Sequence, residues 1–196
     1  MVAACAPATV HVSGPAPTTT VRSPIAPLAV APPQIINAIR LDRAEVDARA
    51  RYEQFTRLHD GCWLVPTHCH RGALAQVVFS PSRVLAEIDR RVERGEFGQN
   101  NPNPDLDYEV IETIKLDDLA TVAVITSCRV DGALMFTEEP TSGSGVVVDD
   151  VGIFGYRLRS EMRRDEADNW RLWTQDTIEA FDASVENRCP PRADSQ

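Results

Sequence analysis

Along the second half of the chain, hydrophobic and polar side chains alternate with a period of two through four stretches, DYEVIETIKL, TVAVITSCRV, VGIFGYRLRSEM and NWRLWTQDTIEAF, between Asp107 and Phe181. A strand points successive side chains to opposite faces, so this period predicts β-strands. In the first, Val110, Glu112, Ile114 and Leu116 fall on one face; in the second, Val122, Val124, Thr126 and Cys128 do. In the third, Phe154, Tyr156, Leu158 and Met162 alternate with Arg157, Arg159 and Glu161, which predicts one dry face and one wet face. Trp170, Leu172, Thr174, Asp176 and Ile178 share one side of the fourth. The polar run RRDEADN predicts the turn before it, and TSGSG, residues 141–145, a flexible tip between strands.

Upstream, the period lengthens to that of helices. Asp42-Arg43-Ala44-Glu45 has the form of a capping box, and Leu41, Ala44, Ala48, Tyr52 and Phe55 then recur on one helical face, which predicts a helix over 42–59. Ser80-Pro81 is a second helix start, followed by the stripe Val84, Leu85, Ile88 and Val92 and by Gly95 as a stop. Residues 71–79 read as a short helix or a turn, and QNNPNPD as a turn leading into the sheet. The expected fold class is α+β, with N-terminal helices packed on a curved, mostly antiparallel sheet.

The first 33 residues carry one charge, Arg22, and consist largely of Pro, Ala, Thr, Ser and Val. Such a segment lacks the periodic apolar residues of a core. The chain therefore divides into a tether over 1–35, a domain over 36–181 and a C-terminal tail over 182–196. Val2-Ala3-Ala4-Cys5 has the form of a bacterial lipobox, which makes Cys5 a candidate for lipidation and the tether a membrane anchor. No apolar run approaches the roughly 20 residues of a membrane-spanning helix. Setting Cys5 aside leaves four cysteines, for which the expected pairs are Cys62 with Cys69 and Cys128 with Cys189. The bland alternative for Cys128 is a buried free thiol. Disulfides and an anchor both point to an extracytoplasmic address.

The formal net charge of -9 disfavours nucleic acid and anionic membrane surfaces as partners. Arginine almost wholly replaces lysine, a bias of high-GC bacterial genomes. No phosphate-binding or dinucleotide-binding glycine pattern and no nucleophile elbow occurs, so no cofactor is expected. His59, Cys62, His68, Cys69 and His70 crowd one window, but their spacing suits no usual zinc site and oxidised cysteines cannot ligate, so no metal is expected either.

An opening helix bearing Tyr52 and Phe55, a second helix, and a meander of long strands ending in DNWRLW resembles the nuclear transport factor 2-like (SnoaL-like) superfamily over Asp42 to Phe181. It looks closest to small lipoproteins of that fold in high-GC bacteria, in which a cysteine pair after the first helix and a cysteine in a central strand recur. The resemblance implies a cone with a pocket at its wide end. It makes Tyr52, Phe55, Tyr108, Tyr156 and Trp170 candidate ligand-binding residues. Enzymes of that superfamily place acids or histidines in the cone. By strand parity Glu112 and Asp176 are the acids that share a face with apolar neighbours, and burial would raise their pKa into the range of general acid–base work. Two functions follow. The preferred one is a membrane-tethered binding or interaction domain, for an apolar small molecule or a protein partner. The alternative is a cone-pocket isomerase or cyclase. Relatives of this fold often dimerise through the outer sheet face, where Trp173 falls opposite Trp170, so a homodimer is a further expectation.

Overall fold

The structure, a computed structural model, describes residues 33–138, 145–149 and 152–191. The tether, the Cys5 site and all but the last residue of the TSGSG tip lie outside the described residues. Helix α1 runs unbroken over Pro33–Leu64, beyond both ends of the helix expected over 42–59. At its start, Pro33 sits in the first turn, where a missing N–H costs nothing, and nothing from Gln34 to Leu41 breaks a helix. Asp42 and Glu45 are therefore interior residues and not a capping box. At its end the helix passes through Gly61, because Cys62 is buried and Trp63 packs on the core. Burying such side chains outweighs the ~1 kcal/mol a glycine costs a helix. Pro66 then diverts the chain.

Two shorter helices follow, α2 (Arg71–Ala75) and α3 (Pro81–Glu93). Pro81 lies in the first turn of α3, and Gly95, at φ 64, ends it as the sequence indicates. The buried stripe of α3 differs from the one expected. Ile88 is fully buried, but Val92 is exposed and Arg91, at 3% exposure, is buried in its place.

The four expected strands form one antiparallel sheet: β2 (Tyr108–Leu116), β3 (Val122–Asp131), β6 (Phe154–Arg164) and β7 (Trp170–Asp182), in the order β2-β3-β6-β7. Three short strands escape the sequence reading. β1 (Glu96–Gln99), β4 (Leu134–Glu138) and β5 (Gly145–Asp149) make a second antiparallel sheet, in the order β1-β4-β5. Four or five residues are too few for alternation to register. Neither sheet closes on itself, and the fold is α+β, helices first and antiparallel strands after.

One face of the larger sheet carries α1. Ala123, Ile125, Met162 and Leu172 meet Ala44, Ala48, Tyr52 and Phe55 there, all buried. The link after α2 clips onto β7: Phe79 N–H donates to the Leu172 carbonyl at 2.9 Å and Leu172 N–H to the Val77 carbonyl at 2.8 Å. On the opposite, outer face, Cys128, Val130, Phe181 and Cys189 form a second buried cluster. Gly155 is required beneath it, since a Cβ there would lie 2.0 Å from the Phe181 ring.

Disulfides join Cys62 to Cys69 and Cys128 to Cys189, the expected pairs. Two such bridges are the chemistry of an oxidising, extracytoplasmic compartment. The second ties the C-terminal segment to the middle of the sheet and closes the longer loop, with a sequence separation of 61 against 7. On the chain-entropy account these loops contribute about 4 and about 2.5 kcal/mol. In urea unfolding, Cys128→Ser/Cys189→Ser is therefore expected to lose more stability than Cys62→Ser/Cys69→Ser. The reverse order would show that closure of the long loop is not what the second bridge contributes.

Candidate functional site

An open cavity of about 790 Å³ lies between one flank of α1 and β2, the edge strand beside it. Helical spacing puts Arg49, Glu53, Thr56, Arg57 and Asp60 along its α1 side, and Asp107 to Ile111 form its strand side. At its floor the Tyr52 phenol, 1% exposed, donates to Glu109 Oε1 at 2.6 Å. Its proton being so placed, the phenol accepts from Ser127 Oγ at 3.0 Å, Gln175 Nε2 at 3.2 Å and, more weakly, Ser160 Oγ at 3.4 Å. Gln175 also donates to Ser160 Oγ at 3.0 Å. Burial pushes the Tyr52 pKa well above its usual value, and the Glu109 charge adds to this; Ser127 and Ser160 oppose it. Tyr52 thus holds its proton tightly and is no base near neutral pH.

Arg129, near the end of β3, enters the same groove. Its guanidinium donates to Asp60 at 2.7 Å and lies 3.9 Å from Asp131. Burial alone would lower its pKa, but Asp60 and Asp131 outweigh that and raise it. Burial likewise works to raise the Asp60 carboxyl, yet His59, 3.6 Å away, and the Arg129 charge hold it below the usual range. Asp107, half-buried nearby, is raised, first by burial and then by Asp131 and Asp60, against the pull of Arg129. The groove therefore contains one fixed ion pair, one carboxyl displaced upward, and a rim of mixed charge.

The residues singled out from the sequence do not converge on this groove. Tyr52 and Tyr108 line it; Phe55 lines another opening between α1, α3 and β7; Tyr156 lines a third, near Trp63 and Arg91. Trp170 is buried in the core, its ring beneath the Arg164 guanidinium at 4.8 Å. The face predicted for the two acids is corrected by irregularities in register. A bulge between Ile111 and Thr113 shifts the parity of β2, so that Ile111, Ile114 and Leu116 pack on the core while Glu112 stands on the outer face. There Arg157 holds Glu112 with bonds of 3.0 and 3.2 Å and also pairs with Glu179. In β7 an extra residue at Trp173 leaves Gln175 opposite Ser160, and Asp176, exposed, opposite Arg159. Strand parity carried across a bulge assigns every later side chain to the wrong face.

Sequence reasoning missed Glu109, Arg129, Asp60 and Asp107, none of which belongs to a motif. The one signal was Arg129 itself, a charge inside the apolar strand TVAVITSCRV. His68 and His70 stand exposed beside a closed disulfide, and no group of three or more His, Cys, Asp or Glu among the described residues is placed to hold a metal ion.

No protein-family model and no curated protein matches the sequence. Among solved structures, the intermembrane space region of the chloroplast protein ARC6 is similar, with a TM-score of 0.51 at 8% identity, over 68% of this chain and 95% of that one. At that identity the likeness concerns the fold alone.

Removing the Tyr52 hydroxyl leaves Glu109, Ser127, Ser160 and Gln175 short of a partner. Tyr52→Phe is expected to cost roughly 1–3 kcal/mol in urea unfolding at pH 7. The pKa is raised on folding, so above about pH 10 the unfolded chain loses this proton first and stability falls as pH rises. Wild type should lose about 1.4 kcal/mol per pH unit there beyond any slope retained by Tyr52→Phe. Equal slopes in the two proteins would place the hydroxyl in water.

Proposed function

We propose that this domain is an extracytoplasmic ligand-binding module of the nuclear transport factor 2-like kind, and that its binding face is the groove between α1 and β2. The observation that carries the reading is the engagement of Tyr52. A cone enzyme of the isomerase or cyclase kind needs a donor or base open toward its substrate. The central phenol here is bonded to four side chains of the larger sheet. Of the acids first considered for catalysis, Glu112 stands on the outer face, held by Arg157, and Asp176, exposed, borders the separate opening that Phe55 lines. The groove itself has the size of a small-molecule site, which runs to roughly 300–1,000 Å³. Helices followed by an antiparallel meander support the superfamily assignment, and a sheet that does not close leaves the groove open.

The test is a titration of ¹⁵N-labelled protein with a set of small apolar compounds, alongside incubation with a β,γ-unsaturated ketosteroid. The expected result is amide shifts clustered on residues 49–61 and 107–111, with no conjugated enone formed. Enone formation that Tyr52→Phe abolishes, or shifts confined to the outer sheet face, would overturn the reading.

The membrane tether belongs to the same proposal. Val2-Ala3-Ala4-Cys5 followed by a proline-rich spacer is the arrangement of a lipoprotein, and the two disulfides fit the compartment such a protein occupies. Expressed with a secretory leader in a bacterial host, the chain should take up an alkyne-labelled fatty acid and lose the label in Cys5→Ser. Equal labelling of the two proteins would remove Cys5 as the anchor.

A further inference from the structure

α3 buries an arginine where its hydrophobic stripe calls for an apolar residue. Arg91 is 3% exposed, and its guanidinium lies over the Trp63 ring at 4.0 Å. The usual reason to bury a cation is a hydrogen-bonded carboxylate, and Arg91 has none among the described residues. Its nearest acid is Glu96, 3.9 Å from Nε, and both Glu96 oxygens already accept from Arg94. Nη2 reaches only the Met135 sulfur, at 3.6 Å, a weak acceptor. Nε is buried with no hydrogen-bond partner, and Nη1 makes no hydrogen bond to a described residue.

This side chain lines a pocket of about 400 Å³, apart from the groove between α1 and β2. Trp63, Met135, Phe154 and Tyr156 supply its apolar and aromatic surface, and the Phe154 and Tyr156 rings stack at 6.4 Å. We propose that this pocket is a binding site for a small organic monocarboxylate with an aromatic or apolar body, its carboxylate on the Arg91 guanidinium and its body against these side chains. The planar guanidinium matches a carboxylate in a two-point contact that an ammonium group cannot give. A monoanion fits better than a phosphate dianion, because the other cation bordering the pocket, Arg94, is already held by Glu96, and Asp131 beside them repels a second charge. Asp131 is itself engaged, accepting from the Ala133 N–H at 3.2 Å and facing Arg129, which leaves Arg91 as the buried group short of a partner.

The site goes beyond the binding reading proposed above and stands or falls separately, since it occupies another pocket. Phenylacetate, phenethylamine and inorganic phosphate are titrated into the full domain, monitored by tryptophan fluorescence and by the arginine Nε–H resonances in ¹H–¹⁵N spectra. Phenylacetate should bind saturably and shift the Arg91 Nε–H resonance. Phenethylamine and phosphate, at the same concentrations, should do neither. Arg91→Lys should weaken phenylacetate binding about tenfold or more with the melting temperature retained, because lysine keeps the charge and loses the fork. Arg90→Gln, an exposed neighbour, should bind as wild type does. Were Arg91→Lys not to fold, the wild-type resonance and Phe154→Ala, at the pocket rim, decide instead: phenylacetate must move the first and bind the second less well. Phenylacetate that fails to saturate, an Arg91 resonance unmoved at saturation, or tighter binding of the amine or phosphate would each overturn the proposal.

Discussion

One hydroxyl holds α1 in register against the whole of the larger sheet. The Tyr52 phenol, midway along the helix, reaches Glu109 in β2, Ser127 in β3, Ser160 in β6 and Gln175 in β7, one side chain from every strand. An apolar contact constrains position only loosely, since oily surfaces can slide while staying buried. A buried polar group with four partners cannot slide, because each displaced partner would be left unsatisfied away from water. Ala48 and Ala44, one and two turns before it, are small enough for the helix to sit close to the strands. The cost of the arrangement is functional. A phenol so engaged is not available to a substrate, and the openings beside α1 lie at its flanks.

The same network explains which parts of the fold were legible in the chain. The four long strands were, because nine or more residues of alternation leave a pattern, and so was the buried face of α1, where Leu41, Ala44, Ala48, Tyr52 and Phe55 all join the core. The ends of α1 were not. Capping chemistry at Asp42 is a local preference, while the continuation from Pro33 to Leu64 meets no breaking residue and gains burial at Cys62. The faces of Glu112 and Asp176 were also illegible. A bulge adds one residue without a sequence mark, and here it does so at Glu112 and again at Trp173. The irregularity at Trp173 is also what brings Gln175 round to Ser160 and Tyr52.

The polar residues of the site were harder to see than the core. Glu109, Asp60 and Arg129 line one groove although Asp60 and Arg129 stand 69 residues apart in sequence, and the two acids are unremarked in their own segments, one at a strand start and one near a helix end. What joins them is the sheet order, which sets β3 between β2 and β6 beneath the helix. A buried charge therefore declares itself only when its neighbours are known. Arg129 is compensated by Asp60 and Asp131 and fixes the groove.

Arg91 reads differently by the same criterion. The stripe Val84, Leu85, Ile88 points next to position 91 or 92, and valine at 92 is the cheaper residue to bury. The fold buries the arginine and exposes the valine, with no hydrogen-bonded acid to compensate the choice. Stacking on Trp63 stabilises a desolvated cation by about 2 kcal/mol, well short of what a hydrogen-bonded partner supplies. Burial correspondingly depresses the Arg91 pKa, against the opposing charge of Glu96. The rotation that buries Arg91 is also the one that keeps Ile88 fully buried, and it sets beside an aromatic pocket a cation with capacity left for a carboxylate.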